Sequence, residues 1–198
     1  MALRNIVTEE DPILRKKSRE IDEISPRIVK LLNDMAETMY YDNRGIGIAA
    51  PQVGVLRRAF VVDIGDEHGR LDFINPEITS REGEQRCSEG CLSVPGKSGD
   101  VMRPEKIHIK ALDINGNPFE MDAEGLLADC ICHEYDHLDG ILFIDKAIPG
   151  TIAEASEYPR PALAVLYRRS SRARTHHRCR CGRYPRPYRE GETAPDLL

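Results

Sequence analysis

No stretch of this sequence stays apolar for long. Its uninterrupted apolar runs are a few residues each, far short of the ~20 that a membrane-crossing helix requires. The opening residues, MALRNIVTEEDPILRKKS, lack the apolar segment and the small-residue cleavage site of a secretion signal. These two absences predict a cytoplasmic protein without a membrane partner. There is no internal repeat. Cysteine is missing from the first 86 residues; Cys87, Cys91, Cys130, Cys132, Cys179 and Cys181 all come late, mostly in close pairs. A disulfide framework suits a shorter secreted chain, so these thiols are expected to be reduced and free for structural, metal-binding or catalytic use.

What is present reads as an ordinary globular protein, with 40% hydrophobic and 31% charged residues in 198. That length accommodates one domain plus an extension. Charge divides the chain unevenly. Residues 1–150 carry 18 Lys and Arg against 28 Asp and Glu, a balance of −10, while residues 151–198 carry 10 against 5, and together they make the net −5. An acidic body does not bind nucleic acid by charge alone.

Local patterns predict an α+β fold, with antiparallel or mixed short strands packed around a central helix and a further helix near the N-terminus. The first helix is expected over Pro26–Tyr41, capped by Ser25 with proline at its first position. Ile28, Leu31, Leu32, Met35 and Met39 form its apolar stripe. A loop, Asp42–Gly54, is followed by expected strands at Ala59–Ile64, Leu71–Asn75 and Glu77–Arg81. Lys106–Ile114 alternates as a strand, and Asn115-Gly116 signals a hairpin into Pro118–Met121. The second helix is expected over Ala123–Leu138, with Asp122 as cap and Gly140 ending it. Its apolar residues, among them Leu126, Leu127, Cys130 and Ile131, spread round more than one face, the mark of a buried helix.

The chemistry is concentrated in His133-Glu-Tyr-Asp-His137 on that second helix. Histidines at i and i+4 face the same side, one turn apart, so both imidazoles can reach one ion. Glu134, next to the first, is placed to take a proton from metal-bound water. Two surface histidines beside charges are the plain alternative, but buried imidazoles and carboxylates need partners, and a metal is one. A catalytic site of this kind takes three protein ligands and leaves a position open. The extended pattern with a third histidine six residues on is closed, because position 143 is phenylalanine. A downstream glutamate, Glu154 or Glu157, is one remaining route. An upstream thiolate, Cys91 within Glu89-Gly-Cys-Leu-Ser-Val-Pro95, is the other, and sulfur suits a transition metal.

Three segments, Gly45-Ile-Gly-Ile-Ala-Ala-Pro-Gln52, Glu89-Gly-Cys-Leu-Ser93 and His133-Glu-Tyr-Asp-His137, resemble the three motifs of peptide deformylase, in the family's order. The resemblance covers about residues 4–150. It implies removal of the N-formyl group from the initiator methionine of nascent chains, with release of formate. It also implies that Cys91, His133 and His137 bind one divalent metal, typically Fe(2+), with Zn(2+) readily accepted. Metal-bound hydroxide would attack the formyl carbon, with Glu134 as general base and then acid. The Gln52 amide and the Leu92 backbone N–H would stabilise the oxyanion. Gly45, Ile46 and Gly47 resemble the stretch along which the substrate pairs as an added strand, and Leu126 and Cys130 would face the methionine side chain. Glu89 and Arg103 are expected as a pair behind Cys91, with a surface ion pair as the alternative. The chain departs from the family at Cys132, where glutamine is frequent, with little consequence expected because neither metal binding nor proton transfer needs that side chain. The expected partners are formylated nascent peptides and, transiently, the ribosome, with the enzyme a monomer.

The resemblance ends near Gly150. Residues 1–150 form the expected catalytic domain, and residues 151–198 an Arg- and Pro-rich extension expected to be poorly ordered. Three readings of the extension compete, and the last of them, an unstructured segment, is the one expected. It is an RNA-binding arm with interleaved arginine and tyrosine, a second metal site at His176-His-Arg-Cys-Arg-Cys181, or an unstructured segment translated from a shifted frame.

Overall fold

The computed structural model of the protein describes residues 2–41 and 45–154. The expectations for the extension, together with Glu157 and the His176–Cys181 segment, lie outside the described residues, as do Asp42, Asn43 and Arg44 of the first loop.

A helix, α1 (Pro26–Tyr40), precedes the strands β1 (Gly47–Ala49), β2 (Ala59–Val62), β3 (Leu71–Glu82), β4 (Gln85–Cys91), β5 (Val94–Arg103), β6 (Lys106–Leu112) and β7 (Pro118–Glu124). The central helix α2 (Gly125–Leu138), a short helix α3 (Phe143–Lys146) and the strand β8 (Ala153–Glu154) follow. The strands make two sheets, one of five in the order β1-β2-β3-β6-β7 and one of three in the order β4-β5-β8. Every ladder between them is antiparallel.

Strand periodicity puts a helix on each face of the larger sheet. In β2, Ala59 and Val61 point to the side where Leu31, Leu32, Met35 and Met39 of α1 pack. Phe60 and Val62 point to the other side, against Leu127, Cys130 and Ile131 of α2. Phe60 and Phe73 stack there at 4.7 Å. A third cluster, Leu14, Cys91, Val94, Val101, Leu142 and Phe143, fills the space between the smaller sheet and α3. The central helix is therefore enclosed by both sheets. None of the described helices is long and apolar enough to cross a membrane.

The structure corrects several boundaries. The second helix begins at Gly125 and not at Ala123, and Glu124 rather than Asp122 stands at its cap. Ala123 and Glu124 instead continue the ladder, paired with Ile107 and Lys106, and Gly125 turns the chain into the helix at φ +56. The two strands expected on either side of Pro76 form one strand, β3, whose register shifts between Ile74 and Glu77. Proline has no N–H for the ladder, and a bulge absorbs it. Asn75 sits beside it at φ +50. Strands β4 and β5 were not expected, because Gly90, Pro95, Gly96 and Gly99 interrupt their pattern. Ser25 stands at the start of α1 as expected, but its side chain makes no capping bond.

Candidate active site

Cys91 closes β4 at the edge of the smaller sheet, while His133 and His137 come from consecutive turns of α2. One ligand atom from each of these three side chains lies within 4.8 Å of the other two. The Cys91 sulfur is 3.3 Å from Nε2 of His137, and the two imidazoles meet edge to face with centroids 5.0 Å apart. The i,i+4 spacing of the histidines produces this geometry directly, whereas the approach of Cys91 depends on the two sheets closing over the helix. Glu154, the other described candidate for the third position, is exposed on β8 opposite Lys97. Phe143 occupies the place of a third histidine and stacks its ring over His133 at 6.3 Å.

Electrostatics supports a cation at the point where these groups meet. Burial works against a charged His133, yet hydrogen bonds to Cys91 and Glu89 hold its pKa well above the ordinary value. Burial and the neighbouring His133 push His137 well below it. The two imidazoles are thus shifted in opposite directions around a single buried sulfur. A divalent ion among the three donors would satisfy the same field, and a sulfur with two imidazoles is a donor set for zinc or ferrous iron. Glu134 is buried beside them, and one of its carboxyl oxygens finds no hydrogen-bond partner among the described residues. Burial raises its pKa to about 7 against the pull of His133.

Gln52 is set by its own backbone turn. Its Oε1 accepts the Ala49 N–H at 2.7 Å, which turns Nε2 towards the Cys91 sulfur at 3.4 Å. The Ser93 N–H also points at that sulfur, at 3.4 Å. The N-terminal segment ties both loops together: Val7 N–H donates to the Gln52 carbonyl and Glu9 N–H to that of Ser93. Leu92 sits in the tight turn between β4 and β5. Gly47 lies directly against α2, where an added Cβ would stand 2.5 Å from Oε1 of Glu134 and 2.9 Å from the Cys130 sulfur. Cys130 approaches the Ile46 carbonyl at 3.5 Å, while Leu126, one turn earlier on the helix, is exposed. At Gly45 a Cβ would press on Met39 and Leu92.

Behind the histidines lies a buried ionic cluster. Nδ1 of His133 is 2.6 Å from Oε2 of Glu89. Arg103 grips the same carboxylate twice, from Nε at 2.7 Å and Nη2 at 3.0 Å. This pair is buried, so the alternative of a surface ion pair does not hold. Burial opposes the charge on Glu89, but the bonds to His133 and Arg103 overcome it and bring the carboxyl down to about 2. Two further members were not anticipated. Asp136 accepts from Nη1 of Arg103 at 2.6 Å, and Asp129 lies 3.8 Å from Nε. Burial, then the charge on Glu89, pushes Asp129 up to about 7. The only sequence signal for this pair was position: two acids on the same helix as the histidines, one of them between the two.

A helix that presents two histidines with an adjacent glutamate, closed by a buried thiol, defines a single-metal hydrolase. Residues 3–151 match the sequence model of the polypeptide deformylase family. Peptide deformylase 1 of Clostridium perfringens (strain 13 / Type A) is 59% identical over 148 residues, 75% of this chain and 100% of that protein. The crystal structure of the Thermotoga maritima peptide deformylase superposes with a TM-score of 0.72 at 37% identity, covering 75% of this chain and all of that one. A Synechococcus elongatus peptide deformylase, solved in complex with actinonin, gives 0.70 at 39% identity over 74% of this chain and 80% of that one. This chain belongs to the peptide deformylase family. It is a metal-dependent hydrolase that removes the N-formyl group from nascent peptides.

Proposed function

We propose that Cys91, His133 and His137 hold the metal and that Glu134 carries the proton in deformylation. The observation that supports this most is the meeting of three donor atoms within 4.8 Å, from buried Cys91 and His137 and half-buried His133, with a Glu134 oxygen beside them that has no hydrogen-bond partner among the described residues. A divalent ion held by these three residues would supply Lewis acidity, polarising the formyl carbonyl and lowering the pKa of water. Glu134 takes the proton from the attacking water and passes it to the leaving amine, so that formyl amide and water become formate and a free α-amine. The Gln52 amide, already turned by its bond to Ala49, donates to the oxyanion together with the Leu92 N–H.

Gly45, Ile46 and Gly47 receive the substrate backbone as an added strand. Cys130 and Leu126 flank its methionine side chain, with Leu126 at the solvent side. Glu89 orients His133, and Arg103 orients Glu89. Fe(2+) is the ion proposed for the cell and Zn(2+) the ready substitute, because availability rather than intrinsic affinity decides occupancy. The enzyme is proposed to act as a cytoplasmic monomer that meets the ribosome transiently. Residues 1–150 are the catalytic domain and 151–198 an extension without a chemical role.

The test separates ligand from base. Glu134→Gln should keep one metal per chain and lose about 10²–10⁴-fold in formate release from formyl-Met peptides. Cys91→Ala should lose the metal and the activity together. A metal-free Glu134→Gln, or a Cys91→Ala chain with full metal and near-normal turnover, would overturn the assignment.

A further inference from the structure

The histidine that Glu89 orients is also braced from a second direction, by the four-residue helix α3. Lys146, at the end of α3, sets Nζ 2.7 Å from Oδ1 of Asp136. The other oxygen of that carboxylate receives Arg103 at 2.6 Å. Arg103 in turn holds Glu89, and Glu89 holds His133. A chain of charged contacts therefore runs from a half-exposed lysine to the His133 imidazole. Phe143, in the same helix, lies over the His133 ring at 6.3 Å and 23°.

The helix itself is firmly placed. Oδ2 of Asp145 accepts the Leu142 N–H at its start, and Arg15 pairs with Asp145. At its end Ala147 bridges to Val101, and Ile148 N–H donates to the Asp100 carbonyl. Both contacts are on β5, the strand that also carries Arg103.

Charge counting shows what Lys146 adds. Arg103 faces three buried carboxylates, Glu89 and Asp136 in direct contact and Asp129 at 3.8 Å, and cannot neutralise them all. Lys146 adds a cation on the Asp136 side and occupies Oδ1 of Asp136, so that this carboxylate meets Arg103 through Oδ2 alone. With Oδ1 released, Asp136 is free to turn both oxygens onto the guanidinium. Any such turn competes with the twofold grip of Arg103 on Glu89, which orients His133.

We propose that Lys146 is a positioning residue for the metal centre, acting through Asp136, Arg103 and Glu89 to hold His133 in its ligating orientation, with Phe143 fixing the plane of the same ring. The inference rests on the reading that Cys91, His133 and His137 hold the ion. Partners one step behind a metal ligand typically change metal affinity about 10–100-fold, and Lys146 acts from further out, so a smaller effect of about 3–10-fold is expected.

The experiment uses the full chain loaded with zinc or with cobalt(II). Zinc release into excess chelator is timed, and the cobalt absorption bands are recorded as a direct view of the ligand field. Lys146→Met should release zinc about 3–10-fold faster and shift the cobalt bands, while Lys146→Arg, which keeps the charge, should restore both. A purely structural lysine would lower the melting temperature without moving the bands. Release at the wild-type rate with unchanged bands overturns the proposal, and so does fast release that arginine fails to rescue. Wild-type protein that retains no stoichiometric zinc overturns the ligand assignment itself, and that result is distinct from the others.

Discussion

Replacing one hydrogen of Gly47 by a methyl group puts carbon where the Glu134 carboxylate lies. The new Cβ would be 2.5 Å from Oε1, 2.9 Å from Cδ and 2.9 Å from the Cys130 sulfur. Comfortable contact for such atoms begins near about 3.5 Å, so the carboxylate must retreat by roughly 1 Å or the strand must lift away from the helix. Glu134 is already buried, and Gly47 is fixed in the ladder opposite Val62, so neither shift is free. A misplacement of about 1 Å in a reacting group costs on the order of 10²-fold in rate, and overpacking a core typically costs about 1–3 kcal/mol. Gly47→Ala should therefore lower kcat for formyl-Met peptides about 10²-fold while metal content stays at one per chain. Gly45→Ala is the comparison, since its Cβ would meet Met39 Cγ at 3.1 Å, Leu92 Cδ1 at 3.2 Å and the Met39 carbonyl at 3.4 Å but does not reach Glu134, and it should lose less. Formate release, metal analysis and thermal melting on the two variants decide the matter. A folded, metal-loaded Gly47→Ala enzyme with kcat within about threefold of wild type would refute the argument that this glycine makes room for the base.

Two further predictions concern stability. Arg103→Met strips the guanidinium from between Glu89 and Asp136, leaving buried carboxylates short of a partner, and should cost about 3–5 kcal/mol in urea unfolding; a loss below about 1 kcal/mol would contradict the buried-cluster account. Asp34 is held down at about 2, first by its bond to Lys30 and then by the Ala2 N–H and Arg4. Because its folded pKa is depressed, the stabilisation is present above the ordinary carboxylate range and lost as the pH falls through about 2. The stability gap between wild type and Asp34→Asn should thus be widest near neutrality and close on acidification. A gap that is constant with pH would refute it.

Helical spacing is a local property, and for that reason the sequence alone determined that His133 and His137 share a face with Glu134 beside them. The apolar stripe of α1 and the hairpin at Asn115-Gly116 were legible for the same reason, since each depends on neighbours within a turn or two. Motif resemblance singled out Gln52, Cys91 and Leu92, but on residue pattern alone a downstream glutamate stood open beside Cys91. Only the closing of the two sheets over α2 brought that sulfur to 3.3 Å from His137 and left Glu154 exposed. Strands β4 and β5 escaped the local reading because glycines and a proline broke their alternation, and pairing across the ladder is what makes them strands. The end of β7 was lost to the helix in the same way, since Ala123 and Glu124 owe their state to partners on β6. The Arg103 cluster, the arm from Lys146 and the space that Gly47 leaves for Glu134 belong wholly to the tertiary structure. Each depends on which groups lose water together and how close they then come, and residues far apart in the chain acquire those relations only once the core has packed.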